Sequence, residues 1–267
     1  MRTKANMNIG ISSYTFPQAM RGIGSHRMTA PDLLTHAKAL GVQVCQYCEN
    51  ANLEIFSTEM LHSLRYEAEQ NKIRLEVGIR ATSNQDILQG LAQCQHLGAN
   101  LLRIMPRVTK DELTAWLRNL RPRLKDEQIT IAIENHESMP AVMLRATLRA
   151  IDSEYVGACF DTANSIGCFE NAEYVLDQLQ DEIVNIHIKD IAIRRKGHSD
   201  GFLIEGTPAG QGMLPLPNLL SRLKALPRPA NFIIEHWCTP EGTFEATLAK
   251  ELRWTQQSVA FLRTAII

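Results

Sequence analysis

Ile131-Ala-Ile-Glu-Asn-His136, Ala158-Cys-Phe-Asp-Thr162, Val184-Asn-Ile-His-Ile-Lys189 and Phe232-Ile-Ile-Glu-His-Trp237 share one pattern. Each is an apolar, strand-like run that ends on or near a side chain able to ligate a metal: Glu134, Asp161, His187 and Glu235. Asp161 follows Glu134 by 27 positions and His187 follows Asp161 by 26, while 48 positions separate His187 from Glu235. About 27 residues is one strand–helix unit, and the longer gap leaves room for an inserted loop. Equal spacing puts the polar groups at one height on successive strands, which is how a barrel gathers distant residues around one ion. Any one of these carboxylates is as readily explained by a structural ion pair. Four in register are not, because charges buried together are costly without a cation.

The alternation extends outward from these segments. Asn8–Ser13, Val42–Tyr47, Ile73–Gly78, Asn100–Met105, Ile129–Glu134, Val156–Asp161, Ile183–Ile188 and Asn231–Glu235 read as eight strands. Several are almost continuously apolar, as parallel strands covered on both faces are. Helical periodicity falls between them, over Pro31–Leu40, Thr58–Asn71, Asn84–Leu97, Lys110–Leu124, Met139–Ala150, Ala172–Leu179 and Pro217–Leu226, with a last helix over Glu245–Leu262. Pro31 suits a first helical turn, and Gly41 and Gly98 suit helix ends. Eight alternating units without a composition break predict an α/β fold: a closed (β/α)8 barrel, one domain spanning residues 1–267. The Gly- and charge-rich stretch Ile193–Met213 interrupts the rhythm where barrel active-site loops lie. It reads either as a solvated insertion or as a flap carrying Arg194, Arg195 or Lys196 toward substrate.

Composition narrows the function classes. A net charge of −1 gives no basic footprint for nucleic acid. No apolar run approaches a membrane span, and Met1–Met7 reads as a polar lead-in rather than a signal peptide, so the expected compartment is the cytosol. Six cysteines in 267 residues suggest no disulfide framework, and Cys45 and Cys48 form a lone Cys-x-x-Cys that reads as structural.

Three carboxylates and one imidazole make a mostly oxygen donor set. Such a set favours Mn²⁺ or Mg²⁺, with Co²⁺ or Zn²⁺ also admissible. Glu134 and Glu235 lie three strands apart and flank whatever binds between them. With a metal polarising a carbonyl, one carboxylate removes a proton and the other returns one. The outcome is isomerisation, epimerisation or elimination, and the residues alone do not choose.

The segments Ile133-Glu-Asn-His136, Phe160-Asp-Thr162, Ile186-His-Ile-Lys-Asp190 and Ile234-Glu235 resemble the metal-binding strand ends of the xylose-isomerase-like TIM barrel superfamily. That group includes ketose 3-epimerases, inosose dehydratase, hydroxypyruvate isomerase and, more distantly, endonuclease IV. The resemblance implies that Glu134, Asp161, His187 and Glu235 bind one divalent metal, with Glu134 and Glu235 as the catalytic acid/base pair. Ketose 3-epimerases carry a histidine where Asn164 stands and a glutamate where Pro140 stands, so the chain departs from that branch.

The leading expectation is therefore a metal-dependent isomerase or epimerase of a small sugar, sugar phosphate or sugar acid. The alternative is a lyase on the same site, a dehydratase or a decarboxylase of a 3-oxo sugar acid. An endonuclease IV-like nuclease lacks its extra histidines here, and a non-catalytic sugar-binding barrel is the remaining class. The expected partner is a small carbohydrate, with no nucleic acid or membrane; self-association into a homo-oligomer is left open. Beyond the metal, His136, Asn164, Lys189, Trp237, Glu49 and Arg80 are candidate substrate contacts. Lys189 reads equally well as a salt-bridge partner of Asp190 or Glu235, and His136 as a support for Asp161. Tyr14 is placed at the mouth, and Arg103 and Arg107 are candidate phosphate ligands.

Overall fold

Strand β1 (Ile9–Ser12), β2 (Val44–Tyr47), β3 (Arg74–Ala81), β4 (Leu101–Pro106), β5 (Thr130–Glu134), β6 (Val156–Asp161) and β7 (Ile183–Ile188) run parallel. After β7 the chain makes an antiparallel hairpin, β8 (Asp190–Arg195) and β9 (Phe202–Thr207), before β10 (Phe232–Ile234). The ring closes in the order β1-β10-β7-β6-β5-β4-β3-β2. The computed structural model describes residues 7–197 and 200–266. The polar lead-in proposed for Met1–Met7 lies almost wholly outside them.

Helices α1 (Pro17–Arg21), α2 (Ala30–Leu40), α3 (Thr58–Gln70), α4 (Asn84–Leu97), α5 (Lys110–Glu127), α6 (Ala141–Ile151), α7 (Ala172–Leu179), α8 (Leu216–Leu223) and α9 (Phe244–Ile266) connect the strands and cover the barrel. Their ends follow from local chemistry. Thr29 with Asp32, Ser83 with Asp86 and Thr109 with Glu112 form reciprocal capping boxes at the starts of α2, α4 and α5. Gly41 and Gly98 end α2 and α4 at φ of 63° and 66°, a conformation that costs glycine little. The α2 face of Leu33, Leu34 and Ala37 is fully buried, as are Leu113, Leu117 and Leu124 on α5. No helix among the described residues is long and apolar enough to cross a membrane.

The eight strands and eight long helices expected from the sequence are present, with most ends displaced by one to three residues. Two features differ. A 3-10 turn over Ser13–Thr15 and the short helix α1 follow β1, and the stretch after β7 carries the paired strands β8 and β9. Asp190 pins the loop beyond that hairpin. Its carboxylate accepts N–H groups from Gly210 and Gly212 at 2.9 Å and from Leu214 at 3.2 Å. Hairpin and barrel also touch backbone to backbone, since a Cβ on Gly206 would lie 2.5 Å from the Trp237 carbonyl oxygen.

The inside of the ring is layered. Leu101, Ala132, Cys159 and Val184 form a small apolar plug. Buried Gln46, Glu76 and Asn185 form a polar layer instead of the branched aliphatics usual in such barrels. Gln46 Nε2 donates to Asn185 Oδ1 at 3.3 Å. β2 and β7 are not ring neighbours, so this bond crosses the barrel interior.

Candidate metal centre and active site

Ring closure brings Glu134 at the end of β5, Asp161 at the end of β6 and His187 in β7 beside Glu235, which follows β10. Asp161 pairs in register with His187. One ligand atom from each of the four residues lies within 4.8 Å of the other three. All four side chains are buried. The four strand ends singled out in the sequence thus form one cluster.

His187 is aimed by its neighbours. Its Nε2 lies 2.9 Å from Gln46 Oε1. Its Nδ1 makes no hydrogen bond, and faces Glu134 Oε1 at 3.3 Å, Glu235 Oε2 at 3.4 Å and Asp161 Oδ2 at 3.9 Å. A buried imidazole nitrogen turned toward three carboxylates, with no donor or acceptor of its own, fits a shared cation. The set is competent to hold a divalent ion of the hard, oxygen-preferring kind.

The carboxylates are each oriented by further bonds. Glu235 Oε1 accepts the Ser12 hydroxyl at 2.8 Å, and Glu134 Oε1 accepts the Asn164 amide at 2.8 Å. Asp161 Oδ1 accepts the N–H groups of Ala163 and Asn164, both at 2.8 Å. Lys189 Nζ donates to Asp161 Oδ2 and, at 2.6 Å, to Glu235 Oε2. On the other flank Arg103 Nε stands 3.3 Å from Glu134 Oε2. Burial penalises the Glu134 charge, yet Arg103 and His187 hold its carboxyl at about 2. Burial likewise opposes the charge on Glu235, and His187 and Lys189 override it, keeping that carboxyl well below its ordinary range.

The cluster lies against a cavity of about 560 Å³ whose walls include Tyr14, Arg103, Asn164, Lys189 and Trp237. Arg80 and His136 line it as well, and Glu49 sits just behind, accepting the Tyr14 hydroxyl at 2.9 Å and pairing with Arg80 and Arg103. His136, Asn164, Lys189, Trp237, Glu49 and Arg80 therefore all lie in or directly behind one cavity.

Of the finer expectations some hold, as the Lys189–Glu235 salt bridge does, and others are corrected. Lys189 pairs with Asp161 and Glu235 and not with Asp190, whose carboxylate is taken up by loop N–H groups. His136 contacts Glu137 rather than supporting Asp161. Arg194 pairs with Glu205 and Arg195 stacks on Phe202, both on the exposed hairpin, and the hairpin instead gives the cavity Ile204 and Glu205. Arg107 pairs with Glu137. All six cysteines are free, and the buried Cys48 thiol, pushed up to about 12 by burial, donates to Gln46 Oε1 at 3.4 Å.

Sequence reasoning missed Ser12, Gln46 and Glu76, and did not foresee that Arg103 pairs with Glu49 and Glu134. A signal existed: Gln46 and Arg103 interrupt the otherwise largely apolar strands Val44-Cys-Gln-Tyr47 and Leu101-Leu-Arg-Ile-Met-Pro106. Gly78 makes room for the arginine, since a Cβ there would sit 3.1 Å from Arg103 Cζ.

The chain is 29% identical, over 97% of its own length and 96% of the relative's, to 3-oxo-isoapionate decarboxylase of Pectobacterium atrosepticum. In structure it resembles D-psicose 3-epimerase with D-tagatose from Clostridium cellulolyticum H10, at TM-score 0.74 and 14% identity, over 97% of this chain and 99% of that one. It also resembles a xylose isomerase-like TIM barrel protein from Mycobacterium smegmatis in complex with magnesium, at TM-score 0.70 and 13% identity, over the whole of both chains. The sequence profile of the xylose isomerase-like TIM barrel family matches residues 32–265, and the chain belongs to that family.

Proposed function

We propose that the protein is a divalent-metal-dependent lyase that decarboxylates a 3-oxo sugar acid. The observation carrying this reading is the presence of two buried cations, Arg103 at 1% and Lys189 at 5% exposure, beside the four-donor cluster. Glu49, Glu134, Asp161, Glu205 and Glu235 are set against Arg21, Arg80, Arg103 and Lys189, five carboxylates against four cations. A divalent ion turns that balance positive, and a positive, poorly solvated cavity selects an anionic substrate. The full-length likeness to a decarboxylase of a 3-oxo acid supports the same class.

When bound, a Mn²⁺ or Mg²⁺ ion supplies Lewis-acid charge at the 3-oxo oxygen. The bond between the carboxyl carbon and its neighbour breaks, CO₂ leaves, and the electron pair moves onto the oxo oxygen as an enolate. Arg103 and Lys189 hold and orient the anionic substrate. A proton from solvent then returns to the carbon that lost CO₂, while Lys189 Nζ stays bonded between Asp161 and Glu235. The cleavage requires no base. That leaves Glu134 and Glu235 to act as ligands alone.

A second reading, isomerase or epimerase of a small sugar, draws on a different observation. Glu134 and Glu235 belong to β5 and the end of β10, with β6 and β7 between them, so they flank a bound sugar from two sides. Incubation of the Mn²⁺-loaded chain in D₂O with 3-oxo sugar acids, and separately with ketoses and aldoses, tests both. Release of CO₂ with one deuterium at the adjoining carbon is the expected result. Deuterium entering a recovered sugar without CO₂ loss would replace it with the second reading, and no turnover of either class would overturn both.

A further inference from the structure

We propose that Glu76 and Gln46 are positioning residues that fix the tautomer of His187 and so set the affinity of the metal centre; this rests on the metal reading above. Gln46 and Glu76 lie inside the barrel, on β2 and β3, at 0% and 2% exposure. Glu76 accepts at both oxygens. Oε1 takes the Asn231 amide at 2.6 Å, and Oε2 takes the Gln46 amide at 2.9 Å and the Asn185 amide at 3.0 Å. Three amide NH₂ groups thus turn inward to one carboxylate, and each must turn its own oxygen elsewhere.

For Gln46 that direction is toward the metal centre. An amide side chain is ordinarily free to exchange its oxygen and nitrogen by a half-turn, and nothing in its own shape chooses between them. Here a half-turn would set the Gln46 oxygen against the Glu76 carboxylate, acceptor against acceptor, in a site closed to water. Gln46 Oε1 therefore stays on His187 Nε2, 2.9 Å away, and is reinforced by the Cys48 thiol at 3.4 Å. An oxygen there requires Nε2 to be the protonated nitrogen. Nδ1 is left to face Glu134, Asp161 and Glu235. Ligating histidines are generally oriented by an acceptor on the far nitrogen, and losing that acceptor weakens metal binding by about 10–100-fold. In this barrel the acceptor is a neutral amide, and its sense is dictated one bond further away by a carboxylate that never touches the histidine.

Isothermal titration with Mn²⁺ and nitrogen NMR of the histidine ring test the relay. Gln46→Leu and Glu76→Gln are each expected to weaken Mn²⁺ binding by about 10–100-fold. The exchange Gln46→Glu/Glu76→Gln, which restores an acceptor facing Nε2 and a donor behind it, is expected to recover most of that loss. In the unaltered chain, His187 Nε2 is expected to carry its proton both without metal and with Mg²⁺. A recovery by the exchange distinguishes the relay from simple packing, which a second substitution would disturb further. Mn²⁺ affinity within twofold of the unaltered chain in both single variants would overturn the proposal, and so would an unprotonated Nε2. If the unaltered chain bound no Mn²⁺, the metal reading would fall, while the nitrogen spectrum of the metal-free chain, taken at a pH where the His187 ring is neutral, would still decide the tautomer.

Discussion

Arg103 Nε lies 3.3 Å from Glu134 Oε2, with both side chains almost wholly removed from solvent. The pair binds the wall of the cavity to the four-donor cluster, because the same guanidinium also reaches Glu49 at 3.5 Å. Removing one partner of a buried ion pair strands the other charge, at a cost of about 3–5 kcal/mol. Arg103→Met is therefore expected to lower stability by that amount in urea unfolding. Adding Glu134→Gln is expected to give a double variant less destabilised than the sum of the two single changes. Strict additivity would show that the two groups are not coupled.

Lys189 neutralises Asp161 and Glu235 from the side of the cavity. Lys189→Met is expected to destabilise the metal-free chain by about 3–5 kcal/mol and to abolish decarboxylation. A divalent ion would take over part of the missing charge. Saturating Mn²⁺ is thus expected to raise the melting temperature more in this variant than in the unaltered chain. An equal rise in both would mean that ion and ammonium do not share the same carboxylates.

The hairpin shapes the cavity through Ile204 while Gly206 rests on the Trp237 backbone. A Cβ at position 206 meets main-chain atoms, which cannot swing aside, so Gly206→Ala must push the hairpin outward. Small misplacements of substrate-lining groups cost catalysis heavily. An increase in KM of about 10-fold or more, with little change in melting temperature, is expected. Unchanged kinetics would remove the hairpin from the account of the cavity.

How legible this was in the chain depends on what each residue's neighbours in sequence disclose. Glu134, Asp161, His187 and Glu235 are legible because strand alternation and the strand–helix repeat fix height and side by counting alone. Asn164, singled out in the sequence because ketose 3-epimerases carry a histidine there, donates to Glu134 and lines the cavity. The hairpin β8–β9 is not legible: the charges of Arg194, Arg195 and Glu205 mask the two-residue alternation, and the pairing becomes visible only across the turn. Gln46 and Glu76 escape for another reason. Their partners, His187, Asn185 and Asn231, lie more than 100 positions away, and only ring closure makes them neighbours.

Away from the site, Glu251 on α9 accepts the N–H groups of Gln18 at 2.8 Å and Ala19 at 3.1 Å. Burial raises its carboxyl from 4.5 to about 7, with the two backbone bonds opposing the rise. As pH climbs from 4.5 to 7, the unfolded chain releases this proton while the folded chain keeps it. Stability therefore falls across that window, by about 3 kcal/mol at most. Glu251→Gln has no proton to release, so relative to the unaltered chain its stability is expected to rise over the same interval. Parallel stability profiles in urea unfolding at pH 4.5, 6 and 7.5 would contradict the assignment.

The proposal that the four strand-end donors share one cation is tested most directly by metal content and titration on the intact chain. One Mn²⁺ bound per chain is expected, with Glu134→Gln and Glu235→Gln each losing both that ion and all turnover. Turnover undiminished after exhaustive chelation, or a bound ion that survives both substitutions, would contradict it.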